Sequence, residues 1–405
     1  MTYNDLYVGA KDDFISMLQN KDIINVSVNL IFWKQSLHKE MLKYYFDVTI
    51  PINDITKTIE LYGDMEESNY EFIEILDDFL KRNKMITKIK WNLAEWNLKC
   101  SKRFNQLLIN NKHIIKLEFY ERCSMPFEIV FKNIPLKEVI IESPKILQLP
   151  QLLMLPLIQS IEIILDEEMC RENFDSKQLI NAFNNTKSLT SIDLDISTRF
   201  RFYNNVAIAE EFIGCLLKSK NKSVKGLYIN LGNIFFKKLN KEIKKYITHS
   251  KHITNFSISA KSINNYGFLN KNNTIEKLSL SGPYFGGNVI KSIEKLILVN
   301  RKITDLRLDI PNEDDCKILM EAIKKNGTIE KLTAINGMIN DRWKDLLNEV
   351  ENVKKLKKQY ARTYLDLFAG YQILPMINII DGYVGLEIVS SMRKVETQTN
   401  YITIL

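Results

Sequence analysis

An open α/β solenoid is the fold this sequence predicts. Three features predict it: an apolar pattern that recurs eleven times, an apolar pair spaced two apart at the end of each copy, and a helical period between copies. The pattern reads Asn, two residues, an aliphatic, two residues, an apolar residue, one residue, a second apolar residue, with Leu155, Thr186 and Ser250 in the leading place of three copies. NKMITKIKW at 83–91 supplies Ile86, Ile89 and Trp91. The pattern returns as NKHIIKLEF at 111–119, NIPLKEVII at 133–141 and LPLIQSIEI at 155–163. It continues as TKSLTSIDL at 186–194, NKSVKGLYI at 221–229, SKHITNFSI at 250–258 and NNTIEKLSL at 272–280. NRKITDLRL at 300–308 and NGTIEKLTA at 326–334 close the series, and a weaker NDITKTIEL at 53–61 opens it. The leading positions step by 22 to 35 residues, the spacing of arrays in which one supersecondary unit stacks on the next.

Each part of the repeat has a physical reading. The final apolar pair alternates with polar residues, so both members face one side of a strand. The earlier aliphatic packs beside them as the chain turns into the strand. One such unit cannot bury its apolar side alone, whereas stacked neighbours share a continuous core. Between copies, SNYEFIEILDDFLKRN (68–83) places Phe72, Ile75, Leu76 and Leu80 on one helical face. DSKQLINAFNN (175–185), AIAEEFIGCLLKSK (207–220) and DDCKILMEAIKKN (314–326) have the same period. Asp175, Asn204 and Asn312 are the expected helix N-caps. The two 22-residue steps between 111 and 155 leave room only for extended chain or a single helical turn.

The NNTIEKLSL and NGTIEKLTA copies carry the clearest family likeness. Over about 53–340 the chain resembles the leucine-rich-repeat family in its long, ribonuclease-inhibitor-like form, although the family's Asn after the strand is mostly absent. The resemblance implies a horseshoe with its parallel sheet on the concave side and helical caps at both ends. The expected organisation is an N-terminal module at 1–45, a solenoid at 46–340 and a C-terminal helical cap and tail at 341–405. In the last of these, Trp343, Leu346, Leu347 and Val350 share one helical face. Arrays of this kind bind through the concave face. The residues expected there include Tyr62, Glu118, Tyr120, Glu138, Glu142, Glu162, Asp193, Asp195, Tyr228 and Arg307. From Glu118 to Asp195 this strip is acidic in a chain whose net charge is +7. That points to a protein partner with a basic segment, tyrosines anchoring it and carboxylates steering it. The alternative is that these carboxylates only keep an exposed sheet soluble.

Residues 1–45 stand outside the eleven copies. Leu6, Phe14, Ile15, Leu18, Asp22, Ile24 and Trp33, with Val26 and Val28, are similar in spacing to an F-box, with Tyr7 where that family has Pro. The resemblance implies docking to a Skp-type adaptor, and a role as substrate-recognition subunit of a cullin–RING ubiquitin ligase. Read without the family, the segment is a set of short amphipathic helices capping the first repeat.

Composition bounds the function. A chain 45% apolar and 26% charged is not wholesale disordered. Its mild positive excess is spread along the chain, unlike a nucleic-acid binder's footprint. Lys-rich KKLNKEIKK (237–245) and KKLKK (354–358) read as solvated helix faces. Cys100, Cys123, Cys170, Cys215 and Cys316 are scattered, which suits a reducing compartment and no disulfide framework or zinc knuckle. No apolar run is long enough to span a membrane, and the N-terminus lacks a basic-then-apolar leader. The expected location is therefore cytoplasmic or nuclear, or the host cytosol for a secreted effector. His38, His113, His249 and His252 have no metal-ligand partners at suitable spacing, and GPYFGGN at 282–288 lacks a phosphate-loop Lys. No nucleophile–base pair can be assembled, so the expected function is non-catalytic, without cofactor or metal. A ligase subunit, an interaction scaffold and a pathogen effector binding a host protein all remain open, and no positioned loop Arg supports a GTPase-activating role.

Overall fold

The computed structural model describes residues 25–29, 58–64, 70–94, 98–119, 134–142, 149–165, 175–196, 206–232, 236–260, 263, 265–282, 287–309, 313–335 and 341–368. Two compact units divide the chain, Met1–Glu242 and Ile243–Leu405. Among the described residues the first unit holds eight strands: β1 (Asn25–Asn29), β2 (Thr58–Asp64), β3 (Lys88–Ala94), β4 (Lys116–Phe119), β5 (Glu138–Glu142), β6 (Ser160–Ile164), β7 (Ser191–Asp195) and β8 (Gly226–Gly232). Each pairs in parallel with the next in chain order. The register lays equivalent repeat positions side by side. Ile59, Ile89, Leu117, Val139, Ile161, Ile192 and Leu227 form one buried row, and Leu61, Trp91, Phe119, Ile141, Ile163, Leu194 and Ile229 form the next. The lead aliphatics Ile86, Ile114, Leu136, Ile158, Leu189 and Val224 are buried beside them.

Helices run between the strands: α1 (Tyr70–Arg82), α2 (Leu98–Asn110), α3 (Leu149–Leu153), α4 (Ser176–Asn185), α5 (Val206–Lys218) and α6 (Lys237–His249), within which the division of units falls. Asp175 caps α4 by accepting from the amides of Lys177 (2.8 Å) and Gln178 (3.3 Å); Asn204 and Asn312 lie outside the described residues. The buried face of α1 is Ile73, Leu76, Phe79 and Leu80, and Ile75 is only half-buried. The face is therefore turned from the expected one, because burying the larger Phe79 ring removes more apolar area. Trp91, Phe104 and Phe119 stack β3, α2 and β4 together, with ring centroids 4.6 and 6.4 Å apart.

The second unit repeats the plan with β9 (Asn255–Ala260), β10 (Lys277–Ser281), β11 (Asp305–Leu308) and β12 (Lys331–Ala334), again parallel and in order. A 3-10 turn (Gly267–Lys271), α7 (Gly287–Val299), α8 (Glu313–Asn326) and α9 (Asp341–Phe368) connect and follow them. The α9 helix packs on α8 and β12 and buries Trp343, Leu346 and Val350. Short steps do produce short connections. The five-residue α3 lies in one 22-residue step, and the 3-10 turn lies in another, between 250 and 272.

The leading Asn explains the motif. The buried Asn272 side chain donates to the carbonyls of Ile247 (2.7 Å) and Ser250 (3.2 Å) and accepts from the amides of Thr274 (2.9 Å) and Ile275 (3.0 Å). It thus terminates the preceding helix, turns the chain into its own strand and clamps one repeat to the last. Asn221, Asn300 and Asn326 make equivalent bonds. Thr186 substitutes with its hydroxyl, donating to the Leu153 carbonyl at 2.6 Å. The Ser or Thr two residues on, as in Ser223 and Thr274, ties back to the Leu189 and Ile253 carbonyls.

One part of the N-terminal reading is corrected. Asn25–Asn29 form a strand, with Val26 aligned on Ile59 and Val28 on Leu61. NKDIINVSV at 20–28 is thus a further copy of the pattern, hidden by its likeness to an F-box. Two apolar residues separated by one polar residue are a strand signal, which overrides the helical reading at 25–29. The rest of 1–45 lies outside the described residues, as does everything after 368.

Candidate functional site

The strand residues that alternate with the core pair form the outer face of the sheet, opposite the helices. In the first unit its middle row runs Glu60, Lys90, Glu118, Ile140, Glu162, Asp193, Tyr228 from β2 to β8. The row divides into two electrostatic halves. In the first half, charges neutralise one another across strands. Lys88 lies 2.6 Å from Glu118, Lys116 lies 3.0 Å from Glu138 and 3.6 Å from Glu118, and Lys90 lies 3.5 Å from Glu60. Glu118 is buried within this network. Burial pulls the Lys116 ammonium down, but Glu138 and Glu118 outweigh it, so its pKa is raised.

Beyond Ile140 the balance fails. Glu162 and Asp193 are half-buried neighbours in register, and among the described residues neither has an ion pair. Desolvation, then Glu162 and then Asp195 push the Asp193 carboxyl up to about 7. Desolvation, with Glu118 next, raises Glu162 as well. The following row sets Glu142, Ile164, Asp195 and Asn230 side by side. Tyr228 flanks the carboxylates on β8. Its ring lies back over Gly226, where an added Cβ would come within 3.1 Å of the ring and of the Ser191 hydroxyl. The missing Cβ at Gly226 therefore lets an aromatic surface lie close to the sheet beside Asp193. A half-desolvated, like-charged carboxylate pair is relieved by a bound cation, and an adjacent aromatic ring accepts the same cation on its face.

The structure thus brings together Glu142, Glu162, Asp193, Asp195 and Tyr228 on β5–β8. Glu118 and Glu138 lie on the same face but are engaged by lysines. Tyr62 lies in β2, aligned with Asn92, and Tyr120 lies outside the described residues, as do Leu6, Phe14, Ile15, Leu18, Asp22, Ile24 and Trp33. Arg307 lies on the outer face of the second unit, exposed and 3.8 Å from Asp305. That face is otherwise hydroxyl-rich, with Ser281 and the Gly282 amide donating to Asp309 at 2.9 and 2.7 Å. The residues that sequence reasoning underrated are Lys88, Lys116 and Gly226. Alternating Lys and Glu at equivalent positions of adjacent copies was the available signal.

Among the described residues no group of three or more His, Cys, Asp and Glu could hold a metal ion. No described helix is long and apolar enough to cross a membrane. His249 bonds the Lys245 carbonyl and His252 the Tyr246 hydroxyl, so the two do not act as a pair.

In-register parallel strands, one helix or turn per repeat and an asparagine clamp between repeats make this a leucine-rich-repeat solenoid, built from long, helix-containing units. No protein-family profile matches the chain, and no curated protein does. Among solved structures, the leucine-rich repeat-containing protein LegL7 of Legionella pneumophila aligns at 15% identity and a TM-score of 0.46, over 81% of this chain and 98% of that one. An internalin of Listeria monocytogenes aligns at 11% identity and a TM-score of 0.32, over 74% of this chain and 80% of that one.

Proposed function

We propose that the chain is a non-catalytic protein-recognition module that binds a basic segment of a partner protein across β5–β8. One observation carries this reading: Glu162 and Asp193 are crowded, half-desolvated and, among the described residues, without ion pairs, on a face where Glu60, Glu118 and Glu138 are matched by lysines. Exposed sheet carboxylates that served only solubility would sit in water at ordinary pKa values. Tyr228 and the half-buried Ile140 and Ile164 supply apolar contact around them.

Fluorescence anisotropy of full-length protein with labelled Arg/Lys-rich and Asp/Glu-rich peptides tests the reading. Basic peptides bind at low salt, and Glu162→Lys/Asp193→Lys weakens them by at least about tenfold, the scale of one close charge pair. Equal binding of acidic and basic peptides, or unchanged affinity in the variant, would overturn it.

The finer role, recruitment to a cullin–RING ligase, rests on residues 1–45 docking a Skp-type adaptor. A strand at 25–29 removes that stretch from any helical docking surface. Pull-down of a purified Skp-type adaptor by the full-length chain, with Leu18→Asp as control, decides the matter: no retention ends the ligase reading and leaves the recognition module intact.

A further inference from the structure

The turns that lead from each helix into the next strand form a second surface of the first unit, along an edge of the sheet. The position directly after the leading Asn or Thr of the repeat carries Lys84, Lys112, Lys187 and Lys222, all exposed. Between the two lysine pairs, the turn after α3 carries Met154 and Leu157, 54% and 48% exposed. In strand order the edge therefore reads two cations, an apolar tip, two cations. Met85, beside Lys84, is 46% exposed on the same edge.

Part of this pattern has a structural cause. Each turn closes a helix C-terminus, whose free carbonyls favour a cation nearby. That cause does not account for aliphatic side chains left in water at the centre, nor for cations left without partners. Among the described residues none of the four lysines is ion-paired, while the carboxylates of α1 are engaged: Asp77 by Lys81 (2.8 Å), Asn110 and Asn111, and Asp78 by Lys81 (3.2 Å). In the second unit Arg301 instead donates to the carbonyls of Lys325 and Asn326 at the end of α8, so that cation has a structural task, and Lys251 is the one other cation at this position there, exposed as in the first unit.

We propose that this edge of the first unit docks on an anionic lipid bilayer. The four lysines pair with headgroup phosphates and carboxylates, and Met154 and Leu157 reach beneath the headgroups. The composition favours lipid over the other polyanions. Protein interfaces enrich aromatic residues, Met and Arg and deplete Lys, and although Met154 and Met85 would suit one, the edge carries four lysines and no Arg, Tyr, Trp or Phe among its described turn residues. Single-stranded nucleic acid needs exposed rings for base stacking, and on this edge the only described ring is that of His113, half-buried. Unpaired lysines around flexible aliphatic side chains are instead what interfacial segments use. Docking of this kind is peripheral and needs no membrane-crossing helix.

Co-sedimentation of the full-length protein with phosphatidylcholine vesicles, with and without about 30% phosphatidylserine, tests the proposal. The protein sediments only with the anionic vesicles at low salt and is released when salt rises about tenfold. Each lysine contributes about fivefold, so Lys84→Glu/Lys112→Glu/Lys187→Glu/Lys222→Glu loses at least about a hundredfold. Met154→Ser/Leu157→Ser loses about tenfold while keeping the salt dependence. All six side chains are exposed, and urea midpoints verify that both variants fold. Indifference of the wild type to phosphatidylserine, wild-type binding by the lysine variant, or displacement from vesicles by single-stranded RNA or an acidic peptide at lower concentration would each overturn it.

Discussion

Asn272 shows how much of this fold one side chain can hold. Replacing it with Ala removes five hydrogen bonds and leaves the Thr274 and Ile275 amides without their acceptor in a buried turn, while the Ile247 and Ser250 carbonyls keep only the Ser250 amide (3.3 Å) and the Thr274 hydroxyl (3.4 Å). Asn272→Ala should cost about 3 kcal/mol in urea unfolding; a loss under about 1 kcal/mol would mean that water replaces the clamp. Asp193 makes a residue-scale prediction of opposite sign. Its carboxyl is pushed up to about 7 in the native state from an ordinary 3.8, by burial, by Glu162 on β6 and by Asp195 on its own strand. Tyr228 on β8 is the other group alongside, and Glu118, Lys116 and Lys88 lie further along the face. Between these two values the native state binds the extra proton, so this contribution is full below about 4 and is lost as pH rises to about 7. Asp193→Asn carries no charge to desolvate. Its melting temperature relative to wild type should therefore climb steadily from pH 4 to pH 8; a flat difference would show a solvated carboxyl. A bound cation lowers the same pKa, so basic peptides should bind more tightly as pH rises through this window.

At the scale of elements, the strands were the most legible parts and the helices less so. A strand in this repeat needs only two apolar residues separated by one polar residue, and the positions of Leu278 and Leu280 or Ile192 and Leu194 can be read within a single copy. The helices depend on what they pack against, and α1 accordingly turns its face so that Phe79 rather than Ile75 is buried. β1 is legible in NKDIINVSV, although Asp22 and Trp33 in the same stretch also fit the spacing of an F-box. The α8 terminus shows a local device. Gly327 adopts φ +68 and its amide bonds the Ile323 carbonyl at 3.2 Å, ending the helix where Asn326 begins the next turn.

At the scale of the whole molecule, stability in such an array is carried by each repeat and its neighbours. Trp343 buries its ring where α9 covers α8 and β12. Trp343→Ala should cost about 3–5 kcal/mol locally, and hydrogen exchange should speed up in α8 and β12 before β10. Equal acceleration throughout the second unit would instead mean that it unfolds as one body. By itself the sequence determined the repeat, its strand and core positions, and the composition of the sheet's outer rows, because each is a short-range pattern complete within one copy. Tertiary structure alone decided which outer-face charges cancel and which remain. Lys88 meets Glu118 diagonally across strands, whereas Glu162 and Asp193 face each other with no lysine in ion-pair range among the described residues, and these outcomes depend on distance and depth of burial after stacking. The same holds for the lysine edge. Its lysines recur in plain view after four of the leading Asn or Thr residues, yet only the folded turns show that they have no ion pair among the described residues and that Met154 and Leu157 stand exposed between them.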